Sequence, residues 1–271
     1  TKEYARASPQ GKPIYGLLAA SLARKLTTPD PEFAAITGRY SGYFKEPRAL
    51  DAAALFASGG ICVQEQFFYD DDDAKESFES FQQIYQRDRA WRWEDHGWYV
   101  RVAASGQSGR TIEIYANVPH SIAPGGSDDR RHALSKLLEE KKLRATVVIH
   151  RGHTWYVEQS LRYLTPDARV VFLGSCRGML SAYPVMAVAR RAQMIATRGV
   201  GTQEINDPLL KAINDELLRG ANLLDWDRFW RTQEVRFGRN PMFRDYVPPP
   251  QNASGMMMSA YFEYVAQGAK L

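Results

Sequence analysis

The stretch of sequence that decides the fold is residues 145–178, ATVVIHRGHTWYVEQSLRYLTPDARVVFLGSCRG. It contains two short apolar runs that are rich in valine, residues 145–149 and 169–173. Runs of this length and composition are typical of strands that are buried on both faces of a parallel sheet. Polar and reactive side chains follow each run at once, in residues 150–153 and 174–178. The sequence therefore predicts two parallel strands with chemically reactive residues at their ends.

The residues between and after these runs predict the helices of an α/β fold. Residues 156–164 are long enough for a crossover helix, and residues 165–167 lead back to the sheet. A further helix is expected to contain residues 184–191, before a third apolar run at 193–197. We therefore predict a mainly parallel sheet with helices on both faces, in which the reactive residues gather at the carboxyl ends of the strands.

The sequence predicts two regions with different residue patterns along the chain. Residues 1–60 have apolar side chains at helical spacing, and they predict a helical N-terminal segment. Residues 61–271 predict the α/β domain together with a C-terminal helical extension. Within that domain, residues 98–103 and 110–115 alternate in polarity around a glycine-rich link and predict a β-hairpin.

Composition and charge exclude several classes of protein. The 271 residues are 44% hydrophobic and 24% charged, with a formal net charge of +4, as in ordinary globular proteins. The basic residues are scattered, so we expect no nucleic-acid partner. No apolar run approaches the roughly 18 residues of a membrane span, so we expect a soluble protein that binds no membrane. No cofactor and no compartment are indicated, and the start at Thr1 suggests a piece of a larger multidomain protein.

The chain has two cysteines, which cannot form a disulfide framework. Cys62 lies in an apolar run and is expected to be a small core residue. Cys176 is flanked by glycine, serine and arginine in the segment Gly174-Ser175-Cys176-Arg177-Gly178. This setting indicates a reactive thiol at the end of a strand.

The order of histidines and cysteine along the chain narrows the possible enzymes. All five histidines, at positions 96, 120, 132, 150 and 153, precede Cys176. The glutaminases, the enzymes with a nucleophile elbow and the papain-like enzymes all place the histidine after the nucleophile. The chain order therefore excludes these three families.

The remaining pattern resembles the caspase-like cysteine peptidases of clan CD, which include caspases, gingipains and CHAT domains. Residues 174–178 are similar to the caspase segment Gln-Ala-Cys-Arg-Gly, which would make Cys176 the nucleophile. Gly152-His153 is similar to the Gly-His-Gly segment of gingipains and CHAT domains, which would make His153 the catalytic histidine. The resemblance covers about 160 residues from Ile61 and implies a peptidase that acts on a protein or peptide substrate.

The chain departs from the family pattern at three points. Thr154 follows the histidine where the family usually has glycine. His153 lies only 23 residues before Cys176, about half the caspase interval. Gly174 stands where caspases carry a glutamine of the aspartate-binding pocket, so a preference for aspartate is not implied.

The residue types predict a separate catalytic role for each of these groups. We expect the turn after the strand and a nearby imidazole to favour the thiolate of Cys176. His153 would then relay the proton, and the backbone amides of Thr154 and Cys176 would face the oxyanion. His150 is the alternative catalytic base. If the strand continues through residue 153, His150 and His153 are expected to point in opposite directions, because side chains alternate along a strand.

Other interpretations of the same residues remain open at this point. His150, His153 and Cys176 could instead be three ligands of a catalytic zinc ion. Residues 70–73, four consecutive aspartates, could bind a cation, although acidic residues at a helix start need no ion. Finally, the chain could be a catalytically silent caspase-like module that binds proteins.

Substrate recognition would fall to the loop after the third strand. Glu204 and Asp207 are candidates for binding a basic side chain of the substrate. The alternative for Asp207 is that Asp207-Pro208 starts the next helix. Trp226 and Trp230 lie four residues apart and are expected in the core.

Overall fold

The computed structural model describes residues 1–23, 30–56, 59–71, 73–106, 109–123 and 129–267. In chain order the helices are α1 (Lys2–Arg6), α2 (Gly11–Ala23), α3 (Pro31–Tyr40), α4 (Ala52–Leu55), α5 (Ala74–Gln86), α6 (Arg130–Glu140), α7 (Val157–Leu161), α8 (Ala182–Val188), α9 (Gln203–Leu218), α10 (Trp226–Phe237) and α11 (Ala253–Ala266). Across the described ranges, no helix is both long enough and apolar enough to cross a membrane.

The strands form one large sheet and one small sheet. They are β1 (Ala49–Asp51), β2 (Ile61–Phe68), β3 (Arg92–Asp95), β4 (Tyr99–Ser105), β5 (Thr111–Asn117), β6 (Ala145–Arg151), β7 (Val170–Leu173), β8 (Gln193–Thr197), β9 (Leu223–Asp225) and β10 (Tyr246–Val247). The large sheet has eight strands in the order β10-β8-β7-β6-β2-β5-β4-β3. Its central strands, from β8 to β5, are parallel. At the edges, β10 pairs antiparallel with β8, β4 pairs antiparallel with β5, and β3 pairs antiparallel with β4.

Helices cover both faces of the large sheet, because its central strands bury side chains on both sides. Along β2, Cys62 and Phe68 face a core formed with α5, α9 and α10, whereas Val63 and Phe67 face a core formed with α6, α7 and α8. Such double burial requires apolar residues at successive positions, which the valine-rich runs supply. The predicted α/β fold is confirmed, and the arrangement is consistent with a caspase-like fold.

Strands β6 and β7 are parallel neighbours, and they position the candidate site. Every residue of both strands is buried. His150 of β6 lies opposite Leu173 of β7, so the two strands end at nearly the same level. The residues that follow them, from Gly152 and from Gly174 onward, therefore emerge side by side at the carboxyl edge of the sheet.

A third core lies outside the sheet. Helices α2 and α3 pack against α11 through the buried side chains of Leu17, Ile36, Tyr40 and Met257. The N-terminal segment is helical as expected, except that β1 pairs with β9 in the small antiparallel sheet. Trp226 and Trp230, two further buried side chains, belong to the core beneath α10.

Candidate active site

Cys176 lies in the tight turn that follows β7. A 3-10 turn, Gly178–Ser181, separates it from α8. Cys176 is exposed and forms no disulfide. Arg177 adopts the left-handed region with a φ of 55°, a conformation that few residues other than glycine adopt. This backbone carries the chain away from the sheet and leaves Cys176 open to solvent.

Close packing around the turn explains the glycines on either side of Cys176. A Cβ atom at Gly174 would overlap Oδ1 of Asn206, and one at Gly178 would overlap the carbonyl oxygen of Leu173. Neither position can take a side chain unless its surroundings move. The Gly-x-Cys-x-Gly pattern is therefore a packing requirement of this turn.

His153 is the second residue after β6, and three contacts fix its place. Its backbone N–H donates to Oδ2 of Asp71 at 3.1 Å. Its imidazole stacks on the indole of Trp155, with ring centroids 4.3 Å apart. Its Nε2 atom lies 3.9 Å from Oδ2 of Asp73, and the side chain keeps 23% of its exposure. The imidazole is therefore held in place and still reachable from solvent.

A side-chain hydrogen bond joins the loop of His153 to the turn of Cys176. The hydroxyl of Thr154 donates to the carbonyl oxygen of Cys176. The structure therefore brings together the two segments that the sequence predicts to be catalytic. Neither the amide of Thr154 nor the amide of Cys176, the predicted oxyanion donors, donates a hydrogen bond to any other residue that the structure describes.

His150 has a structural place in the sheet. It is buried, with Nδ1 2.8 Å from the hydroxyl of Ser160 and Nε2 3.1 Å and 3.2 Å from the carbonyl oxygens of Gly152 and His153. Because carbonyl oxygens only accept, Nε2 carries the proton and donates, and Nδ1 accepts a hydrogen bond from the hydroxyl of Ser160. Burial lowers the pKa of His150 to about 4. His150 is therefore not placed to be the alternative base, and it instead holds the loop that carries His153.

Asp207 is buried, contrary to the prediction that it contacts substrate. It forms a bidentate ion pair with Arg151, whose Nη2 lies 3.2 Å from Oδ2, and both side chains are only 1% exposed. Asp207-Pro208 also does not start the helix, because α9 begins at Gln203 and contains Pro208. The ion pair with Arg151 corrects the first interpretation of Asp207, and the start of α9 at Gln203 corrects the second.

Glu204 is exposed in the first turn of α9. Its neighbour Gln203 donates to Glu76 of α5 at 3.3 Å. The loop before α9 lies against the cysteine turn, since the amide of Arg177 donates to the carbonyl oxygen of Gly199 at 2.7 Å. A role for Glu204 in substrate binding stays a prediction.

Sequence reasoning missed the aspartates beside His153. Asp73 occupies the N-cap position of α5, but its side chain makes no capping hydrogen bond. The carboxylates of Asp71 and Asp73 instead approach His153. The available signal was their position, because residues 70–73 follow β2, which lies next to β6 in the sheet.

The remaining candidates do not assemble into a second site. Cys62 is buried 3.6 Å from Oγ1 of Thr146, and burial raises the pKa of its thiol to about 11, which confirms its place in the core. Among the residues that the structure describes, no three His, Cys, Asp or Glu side chains are grouped to hold a metal ion.

Comparison with models of protein families found no matching family, and a search of curated protein sequences found no match either.

Proposed function

We propose that this protein is a cysteine endopeptidase in which Cys176 is the nucleophile and His153 is the proton-transfer group. The observation that carries the proposal is the hydrogen bond between Thr154 and Cys176. It joins the histidine loop and the cysteine turn at the carboxyl edge of two adjacent parallel strands. An exposed thiol and an accessible imidazole on joined loops are what nucleophilic catalysis by a Cys-His pair needs.

In the first half of the reaction, the thiolate of Cys176 attacks the carbonyl carbon of the scissile peptide bond. The proton of the thiol passes to His153, and the negative charge develops on the carbonyl oxygen. The amides of Thr154 and Cys176 would donate to this oxyanion. His153 then gives its proton to the leaving amine, the C–N bond breaks, and a thioester remains on Cys176.

In the second half, water hydrolyses the thioester. His153 accepts a proton from the attacking water, and the new C–O bond forms as the C–S bond breaks. The carboxylic acid product leaves, and the proton on His153 returns to the sulfur of Cys176, so that both groups regain their starting states. The resemblance to caspase-like peptidases suggests a protein or peptide substrate, and the exposed cysteine turn is accessible to such a chain.

The test is cleavage of a diverse peptide library, followed by mass spectrometry, with wild-type protein and two cysteine variants. Cys176→Ala removes the nucleophile and is expected to lower cleavage at least about 1,000-fold. Cys62→Ala removes the buried thiol and serves as the matched control, which should keep nearly full activity. A well-folded wild-type protein that cleaves no peptide, or equal activity in Cys176→Ala, would contradict the proposal.

A second candidate is a catalytically silent module that binds another protein. It is favoured by an exposed apolar row on α2, formed by Ile14, Leu18 and Leu22, which are 44%, 43% and 54% exposed. The methionine-rich C-terminal helix cannot supply such a surface through Met257, which is buried against α2 and α3. The library experiment separates the two candidates, because a silent module cleaves nothing.

A further inference from the structure

Two carboxylates reach His153 from a part of the chain about 80 residues away. Asp71 and Asp73 lie in the connection between β2 and α5. This connection meets the histidine loop because β2 and β6 are parallel neighbours, with Phe68 opposite Arg151 at their carboxyl ends. The sheet order therefore brings negative charge to the one histidine that the proposed mechanism uses.

We propose that Asp71 and Asp73 are positioning residues for His153: Asp71 fixes its backbone, and Asp73 stabilises the protonated form of its imidazole. This proposal rests on the function proposed above for its catalytic meaning. The two contacts themselves are independent of it.

Asp71 acts on the backbone of the histidine loop. Its Oδ2 atom accepts the N–H of His153 at 3.1 Å, and a carboxylate forms a stronger bond to an amide than a neutral acceptor does. The same oxygen packs against Gly152, where an added Cβ would lie 3.1 Å from Oδ2 and 3.0 Å from the ring of Tyr69. The loop can therefore approach Asp71 this closely because residue 152 is glycine.

Asp73 acts on the charge of the imidazole. Its Oδ2 atom lies 3.9 Å from Nε2 of His153, which is a distance for charge attraction rather than a hydrogen bond. A nearby negative charge favours the imidazolium form. The side chain of Asp73 is 61% exposed, so solvent screens the attraction. We therefore expect Asp73 to raise the pKa of His153 by only about 0.3–0.7 units.

The other titratable groups around His153 in the described ranges do not supply this effect. His150 meets the carbonyl oxygen of His153 through Nε2, but it is buried and its lowered pKa keeps it neutral near pH 7. Cys176 lies on the turn bonded to Thr154, and Arg177 beside it is exposed. Asp71 and Asp73 therefore supply the negative charge that faces this histidine from the described residues.

The test is an NMR titration of the full chain with ring-labelled histidine, in which a His153→Gln variant assigns the His153 signal. Asp73→Asn should lower the pKa of His153 by about 0.3–0.7 units, whereas Asp73→Glu should keep it close to wild type. Asp227→Asn on α10 removes the same charge elsewhere and is the matched control. An unchanged titration in Asp73→Asn, or an equal shift in Asp227→Asn, overturns the role of Asp73.

The role of Asp71 has its own readout. Asp71→Ala removes the acceptor and should speed hydrogen exchange of the His153 amide at least tenfold, while Asp71→Asn keeps an acceptor oxygen and should change it less. Equal exchange in wild type and Asp71→Ala overturns that role. The titration of His153 and the exchange of its amide can be measured whether or not the protein cleaves peptides. An inactive wild-type protein therefore overturns the proposed function, and the NMR results still decide the roles of Asp71 and Asp73.

Discussion

Cys62 and His150 lie inside the large sheet, whereas Cys176 and His153 lie just beyond its carboxyl edge, and the two pairs have opposite surroundings. Burial raises the pKa of Cys62 to about 11 and lowers that of His150 to about 4. Both groups therefore stay neutral near pH 7 and serve as packed parts of the core. At the edge, Cys176 is exposed and His153 is accessible beside a carboxylate.

Residue type alone does not identify the reactive group in this fold. The imidazole at position 150 is buried and hydrogen-bonded, whereas the imidazole three residues later is accessible to solvent. What separates them is the end of β6 at Arg151, beyond which the chain leaves the sheet.

The largest expected difference is in thiol reactivity. Iodoacetamide should alkylate Cys176 at least about 100-fold faster than Cys62 in the folded protein at pH 8, because only a solvent-accessible thiolate reacts. Peptide mapping by mass spectrometry at successive times measures both rates in one sample. Comparable rates at the two cysteines would contradict the difference in accessibility between Cys176 and Cys62. Alkylation in denaturant, where both cysteines should react alike, is the control.

The next effect is on stability, and it compares two ion pairs. Asp207→Asn leaves the charge of Arg151 buried without its partner, so it should lower the free energy of unfolding by about 3–5 kcal/mol. Asp167→Asn breaks the pair with Arg144 at the surface, where the guanidinium is 73% exposed, and it should leave the unfolding midpoint unchanged. Urea unfolding followed by circular dichroism measures both. Equal midpoints for the two variants would show that the buried pair is not holding α9 to β6.

A smaller effect is the pH dependence that His150 gives to stability. The pKa of His150 is about 4 in the folded protein, and its ordinary value is 6.5. Protonation of this imidazole between these two pH values therefore favours the unfolded state. The contribution of neutral His150 to the free energy of unfolding is complete above pH 6.5 and is lost as the pH falls toward 4. The difference corresponds to about 3 kcal/mol.

His150→Gln, which cannot titrate, should flatten this loss between pH 6.5 and 4. His132→Gln changes an exposed histidine and should keep the wild-type slope. Urea unfolding at several pH values gives both curves. If His150→Gln keeps the full wild-type slope, the buried histidine is not the source of the acid sensitivity.

The sequence predicted the central part of the fold well. The valine-rich runs became β6 and β7, and the alternating residues after position 98 became the β4-β5 hairpin, because local composition reports burial and pairing directly. Helix boundaries were less predictable. The crossover helix α7 covers only Val157–Leu161 between a 3-10 turn and a loop, and α9 tolerates Pro208 within it because tertiary packing outweighs local propensity.

The site was predictable only where it depended on strand ends. The positions of Cys176 and His153 followed from the ends of two strands, but alternation along a strand did not separate His150 from His153, because β6 ends at Arg151. The side chains that bind the residues at and beyond the end of β6 did not follow from the sequence. Asp207 meets Arg151, and Asp71 meets His153, through the order of strands and helices around β6, which local patterns do not encode.

We propose that His153, and no other histidine, activates Cys176. The most direct test is the rate of iodoacetamide alkylation of Cys176 at pH 6, where an unassisted thiol is almost fully protonated. We expect His153→Gln to slow this rate at least tenfold, and His132→Gln to leave it unchanged. An equal rate in wild type and His153→Gln, in protein shown to be folded, would contradict the account.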